Sequence, residues 1–330
     1  MSTLFSHFQT KINQFSPLEY KFTEVLESIA LKPKTLYFYG KMPENMSKPE
    51  THNLKLDNDN QHKSTSKTRT NPATGRPATV AIVGSRHNTK YGQEVAYQLA
   101  HELAEQGVLI VSGLAFGIDT IAHRGCLDAG GVTIAVLGTA IDDIYPRTHE
   151  CVAKEILELG GAIISEYAPG SAPFPKTSFL ERNRLISGLS DIVVVVEAAE
   201  RSGSLNTATH ALEQGKTVFA VPGNITNPYS QGCNKLIKQG AIPYTAPEDI
   251  LRELFPQDFA KRHKHLKKQH LFGDTDVETK ILQAIASGAR TGEQIMKLIH
   301  LPPEVFNQTT TLLEIKGRIN SLGANHWGLA

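Results

Sequence analysis

The sequence predicts an α/β protein: an extended Rossmann-like, doubly wound, mostly parallel sheet with a small C-terminal winged-helix domain. Two observations predict the sheet. From residue 78 onward, short β-branched runs alternate with stretches of helical periodicity, which is typical of a parallel sheet whose strands are joined by helices. The runs also lack polar alternation, as expected for strands that helices cover on both faces.

The main domain is predicted to span residues 78–255. Its strands are expected at 79–83, 108–112, 132–137, 162–165, 192–197 and 218–221. Its helices are expected between them, at 90–106, 118–129, 149–159, 178–188 and 204–214. No internal repeat is evident, so we expect one sheet and not an array of similar units.

The chain before this domain has two predicted parts. Residues 1–45 are expected to form a short helical segment, with aromatic residues at helical spacing, followed by a first strand at 36–40. Residues 46–77 are dominated by Ser, Thr, Asn, Lys and Pro and show no apolar period. Such a composition predicts a polar linker or insertion.

Two further segments follow the main domain. Residues 256–275 are predicted to be a basic linker, because Lys, Arg and His crowd 261–268; the alternative is a tail that touches DNA. The helices of the last segment are expected at 278–287, 291–299 and 302–316, before a short hairpin at 317–327. Three helices and a hairpin predict a winged-helix-like domain at 276–330.

Composition excludes several classes of protein. Hydrophobic residues make up 40% of the 330 residues, enough for a globular core, and no stretch approaches the roughly 20 apolar residues of a membrane span. Without a signal-peptide pattern, we expect a cytoplasmic protein with no membrane association. Cys126, Cys151 and Cys233 form no CxxC pair, so neither disulfides nor a metal site is expected. The net charge of +1 neither supports nor excludes nucleic-acid binding, because nucleic acids are bound by local patches of positive charge.

Ligands of open parallel sheets bind beyond the carboxyl ends of the strands, so the segments that leave each strand are the candidates. Gly84, Ser85 and Arg86 follow the first strand of the main domain. Small residues let the backbone approach an anion closely, and an arginine offers a fork of donors to a phosphate. A tight turn with a surface arginine is an equally good interpretation.

A second loop, 112–119, begins with Ser112 and Gly113 and has the size of a phosphate-binding loop. It does not match GxGxxG, so a dinucleotide fingerprint is not satisfied. Asp119 is expected to cap the following helix, in preference to forming a catalytic pair with His123.

Cations and aromatic rings interleave in a third segment, 174–184, which contains Lys176, Phe179 and Arg182. Single-stranded nucleic acid requires both, because cations bind phosphates and ring faces stack on bases. The alternative is an amphipathic helix that buries Phe179 in the core.

A fourth loop, 197–208, brings Ser202, Gly203 and Ser204 to the start of a helix, where free N–H groups attract anions. Residues 215–217, Gly-Lys-Thr, resemble the end of a Walker A loop. However, His210 stands where that motif has its first glycine, and the segment leads into a strand and not into a helix, so ATP binding is not expected there. No motif for a nucleophile with its base appears either. The loops therefore predict binding without catalysis, and no catalytic residue or cofactor is expected.

Taken in order, these motifs resemble those of the DNA-processing protein DprA family, also called Smf. The matching segments are 84–86, 112–119, 133–138, 145–146, 165–167, 182–188, 197–208, 222–223 and 234–241. The resemblance implies a single-stranded-DNA-binding protein that is not an enzyme. It also implies that the protein protects incoming DNA during natural transformation, loads a RecA-type recombinase onto it, and forms a homodimer.

The resemblance also assigns residues. It implies that the DNA groove is lined by Arg86, Lys176, Phe179, Arg182 and Asn183. The groove is shaped by the small and polar residues of the loops, namely Gly84, Ser85, Ser112, Gly113, Ser202, Gly203 and Asn206. It places a dimer contact near Leu236, Ile237 and Ile242. Glu181 departs from the family pattern and puts a negative charge beside the groove.

An alternative function is that of a nucleotide-binding hydrolase of the lysine-decarboxylase-like, phosphoribohydrolase type. Such enzymes resemble this fold but carry a Pro-Gly-Gly-x-Gly-Thr loop where this chain has 201–207, RSGSLNT. The missing Pro-Gly-Gly counts against the alternative. Release of free base from nucleoside monophosphates would distinguish the two functions.

Overall fold

A nine-stranded sheet organises the larger of two units in the computed structural model, which describes residues 11–43, 68–171, 177–258 and 274–329. The larger unit lies within Met1–Phe255 and the smaller within Pro256–Ala330. The strands of the sheet are β1 (Asn13–Phe15), β2 (Leu36–Gly40), β3 (Thr79–Val83), β4 (Leu109–Ser112), β5 (Thr133–Ala140), β6 (Ala162–Tyr167), β7 (Ile192–Val195), β8 (Thr217–Ala220) and β9 (Ile242–Pro243).

The spatial order of the strands is β1-β2-β6-β5-β4-β3-β7-β8-β9. All neighbours from β6 to β9 pair in parallel, whereas β2 runs antiparallel to β6 and β1 antiparallel to β2. From β3 the chain winds outward through β4 and β5 to β6, then returns to place β7 on the other side of β3. The switch point therefore lies between β3 and β7, where a ligand crevice is expected.

Helices cover both faces of the sheet. They are α1 (Lys90–Glu105), α2 (Ile118–Asp128), α3 (Glu150–Glu158), α4 (Ser178–Leu189), α5 (Gly203–Glu213), α6 (Gln231–Lys238) and α7 (Pro247–Leu254). Alternate residues of β3 show the two layers: Ala81 and Val83 join the core with α4, α5 and α6, while Val80 and Ile82 join the core with α1, α2 and α7. The arrangement confirms the doubly wound, mostly parallel Rossmann-like fold that the sequence predicts.

The N-terminal part differs from the expected helical segment. Two short 3-10 helices, Pro17–Glu19 and Glu24–Ser28, lie between β1 and β2, and β1 itself is a strand that the sequence does not predict. Phe15 of β1 packs edge-on against Phe38 of β2, with ring centroids 5.3 Å apart. Aromatic packing across a strand pair therefore holds this segment on the sheet.

Part of the predicted linker 46–77 is folded. Its described part, 68–77, folds back on itself through a bridge between Thr70 and Pro77. Arg76 is 4% exposed, and its guanidinium lies 3.3 Å from the carboxylate of Asp191. A buried ion pair of this kind ties the segment to the larger unit.

The smaller unit contains three helices, α8 (Asp276–Ala286), α9 (Gly292–Ile299) and α10 (Pro303–Ile315), followed by a hairpin of β10 (Ile319–Gly323) and β11 (His326–Leu329). A separate core that includes Ile285 and Phe306 holds them together. The element order is the predicted one, and the winged-helix assignment stays a prediction. The basic run 261–268 lies outside the described residues. Within the described ranges, no helix is both long and apolar enough to cross a membrane.

Candidate functional site

A cavity of about 610 Å³ lies at the switch point, beyond the carboxyl ends of β3 and β7. We call it the principal cavity, and we call the edge formed by the carboxyl ends of the parallel strands the rim. Loops after β3, β4 and β7 and the first turns of α4 and α5 form its walls. Of the predicted groove residues, those that line it are Gly84, Ser85, Arg86, Phe179, Arg182, Asn183, Ser202 and Gly203.

The other four predicted residues are placed differently. Gly113 lines a narrow recess of about 30 Å³ beside the principal cavity. Ser112 is fully buried, and its hydroxyl donates to the carbonyl oxygen of Ile82 at 2.7 Å. Asn206 accepts a hydrogen bond from the amide of Asn183 at 3.3 Å. Lys176 lies outside the described residues.

The turn after β3 presents Arg86. The backbone N–H of Ser85 donates to the carbonyl of Glu197 at 2.7 Å, which fastens the turn to the end of β7. A Cβ on Gly84 would lie only 2.6 Å from the side chain of Ile118, so the turn needs a glycine there. Arg86 is left exposed, without an ion pair to any described residue, and its guanidinium lies 5.4 Å from the ring centroid of Phe179. That distance is within the range of a cation–π interaction.

Phe179 belongs to a group of three aromatic rings beside the principal cavity. The ring of Tyr145 lies 5.7 Å from it, tilted by 45°. Phe116 lines the same recess as these two rings. Tyr145 is 51% exposed and Phe116 is 47% exposed, so both rings are accessible to a ligand. Sequence reasoning did not assign either ring, although both follow predicted strands of the sheet.

Arg182 is a buried cation. It is only 4% exposed, and its Nη1 donates to the carbonyl of Gly113 at 2.8 Å and to the carbonyl of Val136. These bonds connect the chain beyond β4 with β5. Burial lowers the pKa of the guanidinium to about 10, an effect that Asp119 opposes and Arg86 reinforces. A Cβ on Gly113 would overlap this guanidinium. Arg182 therefore shapes the cavity wall and presents little surface to a ligand.

Asp119 faces both arginines from the first turn of α2. It is 6% exposed and lines the principal cavity. Burial raises the pKa of its carboxyl, while Arg182, the backbone of Ala115 and Arg86 lower it in part. The N-cap of α2 is Gly117, so the expectation that Asp119 caps this helix is wrong. The backbone φ of Gly117 is 78°, a value that glycine adopts readily.

His123, the other member of the rejected catalytic pair, points away into the core. It is fully buried, and its Nδ1 lies 2.7 Å from the hydroxyl of Thr133. Burial, together with the neighbouring charges of His149 and Arg182, lowers its pKa to about 3. A histidine held neutral in this way is a structural residue.

The opposite wall of the principal cavity is the N-terminus of α5. Ser202 is its N-cap, and its hydroxyl accepts from the backbone N–H of Ser204 at 3.4 Å. The amide of Asn183 donates to the carbonyl of Gly203 at 3.2 Å, which fixes α4 against this helix start. The positive end of the helix dipole is thereby aimed at the cavity that also holds Arg86.

Two acidic residues near the site are engaged elsewhere. Glu197 is 1% exposed and accepts from the hydroxyl and backbone N–H of Thr89 at 2.6 Å and 2.8 Å, at the start of α1. Glu181 does not line the principal cavity, and it accepts from the hydroxyl of Tyr167 at 3.2 Å. The negative charge expected beside the groove is therefore directed away from the cavity.

The residues predicted at a dimer contact differ in exposure. Leu236 is 7% exposed and packs in the core, Ile237 is half-buried, and Ile242 is 40% exposed on β9. The dimer contact stays a prediction. Among the described residues, no three His, Cys, Asp or Glu side chains are grouped to hold a metal ion.

Fold and site together define a class: a doubly wound α/β protein whose switch-point cavity combines an accessible cation, aromatic rings and a helix N-terminus. The family model for the DNA recombination-mediator protein A matches residues 68–255, more than half of the chain. The chain belongs to this family, which confirms the resemblance seen in the motifs.

Curated relatives agree with this assignment. Protein Smf of Escherichia coli K12 is 53% identical over 175 residues, which are 53% of this chain and 46% of that protein. DNA processing protein DprA of Bacillus subtilis is 46% identical over 175 residues, which are 53% of this chain and 58% of that protein. The matched segment thus spans about half the length of these relatives.

Two solved structures share the fold. The structure of DprA from Streptococcus pneumoniae is 36% identical, has a TM-score of 0.59, and is matched over 76% of each chain. That of DNA processing protein A from Helicobacter pylori is 30% identical, has a TM-score of 0.59, and is matched over 76% of this chain and 98% of its own. The latter structure gives insight into the single-stranded DNA binding mode of the Helicobacter pylori protein.

The two arginines of the cavity should differ in their effect on stability. We expect Arg182→Ala to lower the free energy of unfolding by about 3 kcal/mol or more, because it leaves carbonyl groups and Asp119 buried without their partner. Arg86→Ala should change it by less than about 0.5 kcal/mol, because Arg86 is exposed. Urea denaturation followed by far-UV circular dichroism measures both values. Equal, small losses would contradict the structural role of Arg182.

Proposed function

We propose that the principal cavity binds single-stranded DNA. Phosphates are bound by Arg86 and the N-terminus of α5, and bases stack on Phe179 and the neighbouring ring of Tyr145. The observation that carries this proposal is the position of the Arg86 guanidinium over the Phe179 ring at an accessible cavity. A single strand offers a phosphate and a flat base in each nucleotide, and this pair of side chains complements both.

The geometry favours unpaired over paired DNA. Phe179 is partly exposed in the cavity wall, and Tyr145 and Phe116 flank it at a recess. Bases of a duplex are stacked within the helix and reach such a ring only after they are unstacked, which costs a few kcal/mol. Stacking also tolerates every base, because each has a π-face. The proposed site therefore binds single strands with little sequence preference.

We also propose the finer role that the family resemblance implies. The protein protects incoming single-stranded DNA in the cytoplasm during natural transformation and loads a RecA-type recombinase onto it. It does so as a homodimer with Leu236, Ile237 and Ile242 near the contact. Support for the dimer comes from β9, the last strand in the described order of the sheet, which carries Ile242 with 40% of its surface exposed.

The first test concerns the phosphate contact. Arg86→Ala should weaken binding to single-stranded oligonucleotides of every sequence about tenfold and reduce the slope of log affinity against log salt by about 0.7. Fluorescence anisotropy titrations at several salt concentrations measure both quantities. Arg124→Ala is the matched control, because Arg124 is exposed on α2 but does not line the principal cavity. Unchanged affinity of the Arg86 variant for oligo-dT would contradict the proposed site.

The second test uses the buried carboxyl. Because the pKa of Asp119 is raised, its protonation as pH falls removes a negative charge that faces Arg86. Affinity for single-stranded DNA should therefore increase toward acidic pH, and Asp119→Asn should bind more tightly at neutral pH with a flatter pH profile. Asp128→Asn, at the other end of α2, is the control, because Asp128 does not line the principal cavity. Identical profiles for the wild type and Asp119→Asn would argue against this coupling.

The third test concerns the recombinase. On single strands precoated with a single-strand-binding protein, the wild type should shorten the lag of RecA filament formation, measured by ATP hydrolysis. Arg86→Ala should lose most of this effect at equal concentration, because loading requires DNA binding. A lag that the wild type leaves unchanged would refute the loading role while leaving DNA binding intact.

A further inference from the structure

A second cavity, of about 510 Å³, lies on the same rim as the principal cavity. It is formed where β2 begins and β6 ends, and Lys34, Tyr37 and Tyr167 are among its lining residues. Tyr37 pairs with Ser165 in the antiparallel register of β2 and β6. Because β2 runs opposite to the other strands, its first residues stand beside the carboxyl end of β6. We call this cavity the β2 cavity.

The first turn of α4 separates the two cavities. Phe179 and Arg182 of this turn line the principal cavity. Glu181, which lies between them in sequence, accepts a hydrogen bond from the hydroxyl of Tyr167, a residue that lines the β2 cavity. The width of a helix with its side chains is about 10 Å. A flexible polynucleotide that leaves the principal cavity past this turn can therefore reach the β2 cavity.

The charges around the β2 cavity leave one lysine available. Lys34 is exposed and makes no ion pair with any described residue. Lys32 pairs with Glu27 at 2.8 Å, but the lysine side chain is 60% exposed, and such surface pairs are weak and yield to a stronger anion. Of two nearby carboxylates, Glu166 is neutralised by Arg184, whose guanidinium lies 2.5 Å from its carboxylate, while Glu181 accepts from the hydroxyl of Tyr167 and does not line the cavity.

We propose that the β2 cavity is a second subsite for the same single strand, with a phosphate at Lys34, assisted by Lys32, and a base against Tyr37 and Tyr167. This inference rests on the proposed function of the principal cavity. It adds a requirement for strand length, because only an oligonucleotide long enough to pass the first turn of α4 reaches both cavities. The ligand class is a nucleotide unit of DNA, in which phosphate and base are bound together.

The test compares Lys34→Glu with Lys41→Glu. Lys41 is also exposed, but it follows the other end of β2 and is therefore remote from the rim. Affinities of the full chain for oligo-dT of about 4 and about 16 nucleotides, the range of site sizes known for one single-strand-binding domain, are measured by anisotropy. Lys34→Glu should weaken binding of the long oligonucleotide about fivefold and leave the short one within about twofold, whereas Lys41→Glu should change neither.

Three results would overturn the subsite. They are unchanged binding of the long oligonucleotide by Lys34→Glu, equal losses for both lengths, and equal losses for Lys34→Glu and Lys41→Glu, which would indicate a general effect of charge. In each of these cases the wild type still binds both oligonucleotides, so the principal cavity keeps its role. Failure of the wild type to bind either oligonucleotide would instead refute the proposed function, and the subsite with it.

Discussion

The buried guanidinium of Arg182 is the interaction on which the site depends. Its bonds to the carbonyls of Gly113 and Val136 hold the chain beyond β4 against β5, and its charge is balanced by Asp119 of α2. The chain beyond β4, strand β5 and helix α4, which follows β6, are thereby fixed at one place on the rim. The exposed Arg86 and the aromatic rings are positioned on this framework, so the cation that organises the cavity differs from the cation that we propose binds the ligand.

Much of the fold could be predicted because burial on both faces leaves a strong pattern. The strand at Thr79–Val83 is entirely apolar or small, and its prediction agrees with the structure to the residue. β1 was missed because Phe15 lies in a strand of only three residues, Asn13–Phe15, which gives no period to recognise. It is held by Phe38 across the strand pair, a contact distant in sequence. Arg76 was assigned to a linker for a similar reason, since its partner Asp191 is far along the chain.

The sequence predicted several of the residues that line the cavity, but it did not distinguish their roles. The rule that ligands bind beyond the carboxyl ends of parallel strands brought Arg86, Phe179 and Ser202 to one cavity. The same rule could have found Phe116 and Tyr145, which also follow strands. Whether an arginine is exposed like Arg86 or buried like Arg182 depends on carbonyl groups supplied by other segments, and a local motif does not contain that information.

We propose that an unpaired strand of DNA binds along the rim of the larger unit. Hydrogen exchange of the full chain, with and without saturating oligo-dT, tests this most directly. We expect slower exchange in 84–87 and 202–205, which contribute to the walls of the principal cavity, and no change in 69–77, which precede the amino end of β3 at the opposite edge of the sheet. Slower exchange confined to the smaller unit, with 84–87 and 202–205 unaffected, would contradict it.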